Sequence, residues 1–370
     1  PKLIGAIEAQ SELDNILDDF FEDLAEGANP RAAIRLTMGT GKTKQTVAHL
    51  KNYLVDKYRQ KIEVYVPRHD LADEWQESLE GINAKVTHVY PRTGGEWDKD
   101  AKIYPHPIIY PHPIMCKRAD YVRNLEEKGH SIYGNACLSR TSGEQCRFFN
   151  DCPYLDQFRP TGDGLGVENT IRIYTHASLF LSRNEFEREA IPDLVIIDEA
   201  FLSSAISNLP SIPVGDVTQH IRIDGNASLG FDLVECLTTH QGDLSYLRNK
   251  DIGAFEFNAV SVEGLNPTTV FSADTTQSRN VRSAKQYKTL IKLLEIVARD
   301  VEDHGKDQFG QLAFNHRKNE IVICEHRPIR ISRSTPVLYL DATADPIITE
   351  AYLPALQYHQ IDVRQLAVVS

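Results

Sequence analysis

Leu36-Thr-Met-Gly-Thr-Gly-Lys-Thr43 is the stretch on which the fold turns. Upstream, Ala32-Ala-Ile-Arg-Leu36 is short and apolar, as a buried strand is. Downstream, Val47, Leu50, Tyr53 and Leu54, with Tyr58 less regularly, recur at helical spacing between Lys44 and Tyr58. A strand, a glycine-rich turn and a helix are the setting in which this pattern is a phosphate-binding loop. Gly39 and Gly41 let the chain turn tightly around Thr40, so that backbone N–H groups point inward at a phosphate. The helix N-terminus adds partial positive charge there. Lys42 is placed to reach the β- and γ-phosphates and the Thr43 hydroxyl to ligate Mg²⁺, so ATP and Mg²⁺ are the expected cofactors. The strict pattern begins with glycine, and here that position is Leu36.

Moving outward, a second motif supports the first. Leu194-Val-Ile-Ile-Asp-Glu-Ala200 is an apolar strand that delivers Asp198 and Glu199 to its C-terminal end, where open α/β sheets bind ligands. Asp198 is expected to hold Mg²⁺ and Glu199 to orient and deprotonate an attacking water. A third strand, Pro336-Val-Leu-Tyr-Leu340, runs into Asp341-Ala-Thr-Ala-Asp345, where Asp341 and Thr343 suit sensing of the γ-phosphate. Ile62 to Val66, Ala84 to Tyr90 and Thr170 to Tyr174 complete a strand–helix alternation that predicts a mainly parallel sheet covered on both faces. A helix with Ser11 as its cap precedes the loop and ends at Gly27. A last strand is expected over Ile361 to Val369.

Composition bounds the rest. The 370 residues suggest about two domains, or one domain with large insertions, and 41% hydrophobic with 25% charged residues is ordinary for a globular chain. No apolar run spans a bilayer and no signal-peptide pattern opens the chain, so cytoplasm is the expected compartment. A net charge of −12 offers nucleic acid no general attraction; any such binding needs a local basic groove.

Between the first two motifs the rhythm breaks. The doubled Ile103-Tyr-Pro-His-Pro-Ile108 run reads as a spacer, with His106 and His112 as minor metal candidates. Then come Cys116, Cys137, Cys146 and Cys152, separated by 20, 8 and 5 residues. Structural zinc sites normally include a close cysteine pair, and an iron–sulfur cluster tolerates wider spacings. The spacing leaves cluster, zinc and unligated thiols all open. Lys117, Arg118, Arg123, Arg140, Arg147 and Arg159, interleaved with Tyr121, Phe148, Phe149, Tyr154 and Phe158, suit either a nucleic-acid surface or an ordinary small domain. Farther on, a helix is predicted from Ser283 to Asp303, and Cys236 and Cys324 read as buried thiols.

Taken together, these runs resemble the XPD/DinG family of superfamily 2 DNA helicases, which carry an iron–sulfur cluster. LTMGTGKT resembles motif I, VPRHDLADEW motif Ia, IIDEA the DEAD/DEAH-like motif II and YLDATAD motif III. YTHASLFL is similar to the family's Asn-His-Ala-Leu-Leu signature. Phe201 stands where the family usually has His, Thr175 where it has Asn, and Asp341 where Ser is commoner.

The resemblance implies an α/β fold: a RecA-like P-loop NTPase domain formed by 1–100, 165–201 and 334–370. It is interrupted by a four-cysteine iron–sulfur domain over 101–164 and an arch-like, partly helical insertion over 202–333. It implies a 4Fe-4S cluster on the four cysteines, with zinc second, and Gln10 reading the adenine edge. It further implies an ATP-dependent helicase on single-stranded or forked DNA, of which this chain is the N-terminal half. No motif of a second motor domain is found, so feeble hydrolysis and no unwinding are expected of this part alone. Two alternatives stay open: a double-strand DNA translocase of the restriction-motor type, whose motif I also reads Thr-Gly-Thr-Gly-Lys-Thr, and a non-catalytic, nucleotide-gated, metal-stabilised binding module.

Overall fold

The computed structural model describes residues 5–37, 39–93, 115–127, 130–139, 142–159, 168–181, 191–206, 209–221, 228–260, 284–324, 329 and 331–363. The doubled Ile103–Ile114 run, with His106 and His112, lies outside them, as does Arg140. The chain divides into two compact units. One comprises Pro1–Met115, Pro153–Ile206 and Arg327–Ser370; the other comprises Cys116–Cys152 and Ser207–His326.

The first unit is built on seven strands: β1 Arg31–Leu36, β2 Lys61–Val66, β3 Ala84–His88, β4 Asn169–Thr175, β5 Leu194–Asp198, and, after the second unit's β6 Ser211–Pro213, β7 Leu312–Asn315 and β8 Glu320–Ile323, β9 Val337–Asp341 and β10 Gln357–Ile361. The seven pair in parallel in the order β10-β1-β9-β5-β2-β4-β3. This is a mixed α/β architecture with a RecA-like parallel sheet.

Side-chain alternation explains why the sheet is covered on both faces. Ile34, Leu36, Val64, Ile173, Ile196 and Leu340 share one aliphatic face with the helices α1 Ala6–Ala25, α2 Lys42–Leu54 and α3 His69–Ser78. Their neighbours Ala33, Tyr65, Tyr174, Ile197 and Tyr339 point the other way, into a more aromatic core with Phe158 and Phe201. β5 and β9 are apolar on both faces up to their closing aspartate and are buried throughout.

One expectation near the start of the chain is corrected. Helix α1 starts after Gly5 with no side-chain cap, so Ser11 lies inside it; the apolar period from Ala9 onward carries the helix past that serine. The last strand among the described residues is Gln357–Ile361, and most of the strand expected over 361–369 lies outside them. Among the described residues β10 pairs with β1 alone, and an edge strand needs no continuous apolar run.

In the second unit, the helix Ala284–Glu302 matches its expected span, and Leu290, Leu293, Val297 and Val301 bury its inner face. It shares a core with helices Ser228–Thr238 and Val214–His220 and with an antiparallel sheet of order β6-β8-β7. Cys236 is buried, with its thiol pushed up to about 12 by burial. Cys324 is exposed, contrary to expectation, because it falls just past the end of β8. Among the described residues, no helix is long and apolar enough to cross a membrane.

Candidate functional site

Register brings the motifs together. β9 lies between β1 and β5, pairing Arg35 with Asp341 on one side and Leu340 with Asp198 on the other. The glycine loop after β1, Asp341 and Asp198 therefore finish at one edge of the sheet, the carboxyl edge where such sheets bind ligands.

Gly39 and Gly41 take φ of 77° and 86°, the left-handed region that only glycine enters without cost, and Gly41 caps α2. Thr40 closes the turn by donating from Oγ1 to the Thr37 carbonyl at 2.8 Å. Lys42 is buried, its Nζ resting on the Leu36 carbonyl oxygen at 3.0 Å. Burial pulls its pKa below the usual lysine value, against the opposing pull of Asp198, Asp341 and Glu199. Gln10 reaches the loop from α1, Nε2 to the Thr40 carbonyl at 3.4 Å, while Gln45 donates back to the Gln10 carbonyl at 3.2 Å.

Asp198 is the centre of the site. It is buried, and its Oδ2 accepts from both Thr43 Oγ1 and Trp75 Nε1, each at 2.9 Å. Burial pushes its pKa up, and the Trp75 and Thr43 hydrogen bonds pull against that. Because Thr43 spends its proton on Asp198, its oxygen lone pairs remain for a cation. Glu199 is exposed and has φ of 66°, left-handed for a non-glycine residue, while its N–H still donates to Leu340 at 2.7 Å. His176 sits beneath: its Nε2–H donates to the Asp198 carbonyl oxygen at 3.0 Å, and burial lowers its pKa to about 4. A cavity of about 480 Å³ opens between α2 and α3 and reaches Asp198 and Glu199.

Asp341 is buried and occupied. Tyr339 donates to its Oδ2 at 2.7 Å, and Thr343 donates to Oδ1 from N at 2.9 Å and from Oγ1 at 3.0 Å. Phe201 packs against Tyr339 and Tyr352 with ring centroids 5.3 and 5.6 Å away, in an aromatic setting. The sequence reading missed Trp75 as a partner of Asp198. Nothing but its place after VPRHDLADE marked it, since the two residues are far apart along the chain.

The donor set at this edge fits a magnesium nucleotide: a left-handed glycine cradle, a buried ammonium, a hydroxyl and a carboxylate.

The cysteine segment is organised differently. Helix Ala119–Glu127 and the wide π-type turn Tyr133–Cys137 enclose a small core of Tyr121, Val122, Leu125 and Ala136. Cys146 N–H donates to the Cys137 carbonyl at 2.9 Å. The buried Arg118 guanidinium donates to the Ala136 carbonyl at 3.2 Å and to Cys146 Sγ at 3.8 Å, and the Arg118 N–H lies 3.4 Å from Cys116 Sγ. Among the described residues, no three His, Cys, Asp or Glu side chains are gathered to hold a metal ion. Of the expected basic–aromatic surface, Arg118, Tyr121 and Phe158 are buried. Lys117 and Arg147 stay exposed and flank Phe148 at 5.2 and 4.6 Å.

No family model and no curated protein matches the chain. Among solved structures it is similar to a truncated XPD at 12% identity, with a TM-score of 0.36, over 94% of this chain and 99% of that one. It is also similar to the ATP-dependent Type ISP restriction-modification enzyme LlaBIII bound to DNA, at 15% identity and a TM-score of 0.27, over 63% of this chain and 12% of that one. At those scores neither superposition carries an argument, and the fold rests on the sheet order and register above.

Proposed function

We propose that this chain is the nucleotide-binding motor part of an ATP-dependent DNA helicase of the XPD/DinG type, working on single-stranded or forked DNA. The observation that carries the reading is the convergence of Lys42, Thr43, Asp198 and Asp341 on one edge formed by three adjacent parallel strands. Bound MgATP supplies the bond to be hydrolysed and the charge that polarises it. Lys42 exchanges the Leu36 carbonyl for phosphate oxygens. Thr43 and Asp198 orient the cation's side of the site. Glu199, at the exposed end of β5, takes the proton of the attacking water. Asp341 and Thr343, already bonded to each other, relay loss of the γ-phosphate into β9. A second motor domain is the expected partner in turning hydrolysis into movement.

The cysteine segment is the proposed metal-binding part, an iron–sulfur cluster first and zinc second. Four thiols match a cluster in number and kind. Among the described residues they are not gathered as a ligand set.

ATP binding and turnover, with and without single-stranded DNA, test the reading. Lys42→Ala is expected to weaken ATP binding. Glu199→Gln is expected to keep binding while lowering turnover about 100-fold or more. ATP affinity unaffected by Lys42→Ala would overturn the assignment. Iron with matching sulfide in anaerobically purified protein, lost on Cys137→Ser, is the expected result for the cysteine segment; zinc alone or no metal would remove the cluster.

A further inference from the structure

Trp75 has no part in the chemistry above, yet it touches the residue at its centre. It lies on α3, is 2% exposed, and gives its indole N–H to Asp198 Oδ2 from 123 residues away in the chain. A buried indole N–H needs an acceptor. Apolar packing alone would be met by Phe, and a backbone carbonyl would serve as well as a carboxylate. Here the acceptor is the carboxylate expected to face the divalent cation.

The geometry is specific. Trp75 and Thr43 both donate to Oδ2, so the carboxylate is held by one oxygen from two sides. Its charge stays available, because the indole is a neutral donor. Lys or Arg in that place would neutralise Asp198 and repel a cation. Helix α3 is itself pinned. Its first residue, His69, meets His88 of β3 at 2.8 Å, and His88 meets Asp73 of α3 at 2.7 Å. The ring belongs to the apolar core that holds Val47 and against which Leu71 packs, and it lines the cavity between α2 and α3. Trp75 is thus anchored by a helix tied to the sheet and aims at Asp198 alone.

We infer that Trp75 is a positioning residue, which fixes the Asp198 carboxylate by one oxygen and turns the other toward the divalent cation. The inference rests on the nucleotide-site reading above.

The test is calorimetric binding of adenylyl-imidodiphosphate by the whole chain, over a Mg²⁺ series and in its absence. Trp75→Phe keeps the ring and removes the donor. It is expected to raise the Mg²⁺ concentration for half-maximal tight binding about tenfold, the size of one hydrogen bond to a charged group. Binding without Mg²⁺ is expected to stay as in the wild type. Leu71→Ala, which loosens the same helix without touching Asp198, is expected to leave the Mg²⁺ midpoint in place. A Trp75→Phe midpoint equal to wild type overturns the inference while leaving the nucleotide site standing. Wild-type chain that binds the nucleotide no better with Mg²⁺ removes the site reading and this inference with it. If Trp75→Phe does not fold, Trp97→Phe leaves Trp75 as the chain's only tryptophan. Its emission is then expected to shift when Mg²⁺ is added to the nucleotide complex, and an unchanged spectrum overturns the inference.

Discussion

At the scale of the residue, Glu199 shows how much local cost the site accepts. A left-handed φ costs a non-glycine residue about 1–2 kcal/mol, and here it falls on the proposed water-activating residue. Glycine would remove that strain. Glu199→Gly is therefore expected to leave urea-unfolding stability unchanged or raised, within about 1 kcal/mol, while turnover is lost. His176 makes a pH prediction. Its pKa falls from 6.5 to about 4 on folding because burial disfavours the imidazolium. Between those values the unfolded chain binds more protons, so stability falls as pH drops from about 6.5 toward 4. The loss is roughly 3 kcal/mol from this one group. Urea titrations at pH 7 and pH 5 check it: His176→Gln, which has no titrating ring, is expected to show a smaller difference between the two.

At the scale of the element, two contacts decide how neighbours dock. Asn169, at the start of β4, is buried and accepts from the Gln60 N–H at 2.9 Å. It donates to the Lys57 and Asn83 carbonyls at 2.8 and 2.9 Å. One amide thus joins the entries to β2, β3 and β4, and Asn169→Ala is expected to destabilise by about 2–4 kcal/mol by stranding its partners. In the second unit, helix Ser228–Thr238 crosses helix Val214–His220 at Gly230. A Cβ there would lie 2.8 Å from the Val217 carbonyl oxygen and 3.1 Å from Thr218 Cα, both backbone. Gly230→Ala is expected to cost about 1–3 kcal/mol. Gly215→Ala meets nothing within 4 Å and is expected to be neutral or stabilising by up to about 1 kcal/mol. Opposite signs for the two alanines in denaturant midpoints are the check.

At the scale of the whole molecule, charge decides how DNA could be held. With a net −12, binding depends on a few exposed cations rather than on overall attraction. Lys117 and Arg147 beside Phe148 combine a cation and a stacking face, the pairing that single strands use. Lys117→Ala is expected to weaken single-strand binding and lower the slope of log affinity against log salt by about 0.7, read between 50 and 200 mM salt. An unchanged slope would place the DNA path elsewhere.

What could be read in one dimension were features with short-range physical causes. Glycines in the phosphate-binding loop need left-handed φ, apolar runs of four or five residues need burial on both faces, and the 3.6-residue period of Ala284–Glu302 needs one buried side. Those yielded the parallel sheet and the long helix, and they placed the proposed nucleotide site at one edge of that sheet. What needed the tertiary structure were pairings between distant residues and strands too polar or too short to signal themselves. The strand Gln357–Ile361 is half exposed at an edge, and Ser211–Pro213 has three residues, so neither carries a period. Phe201, which stands where the family the chain resembles has His, is surrounded by Tyr339 and Tyr352. Trp75 meets Asp198 because β5 is paired beside β2, and α3 packs on the sheet over β2, β4 and β3. Local propensity determined the elements; the order in which the strands hydrogen-bond determined which side chains share the site.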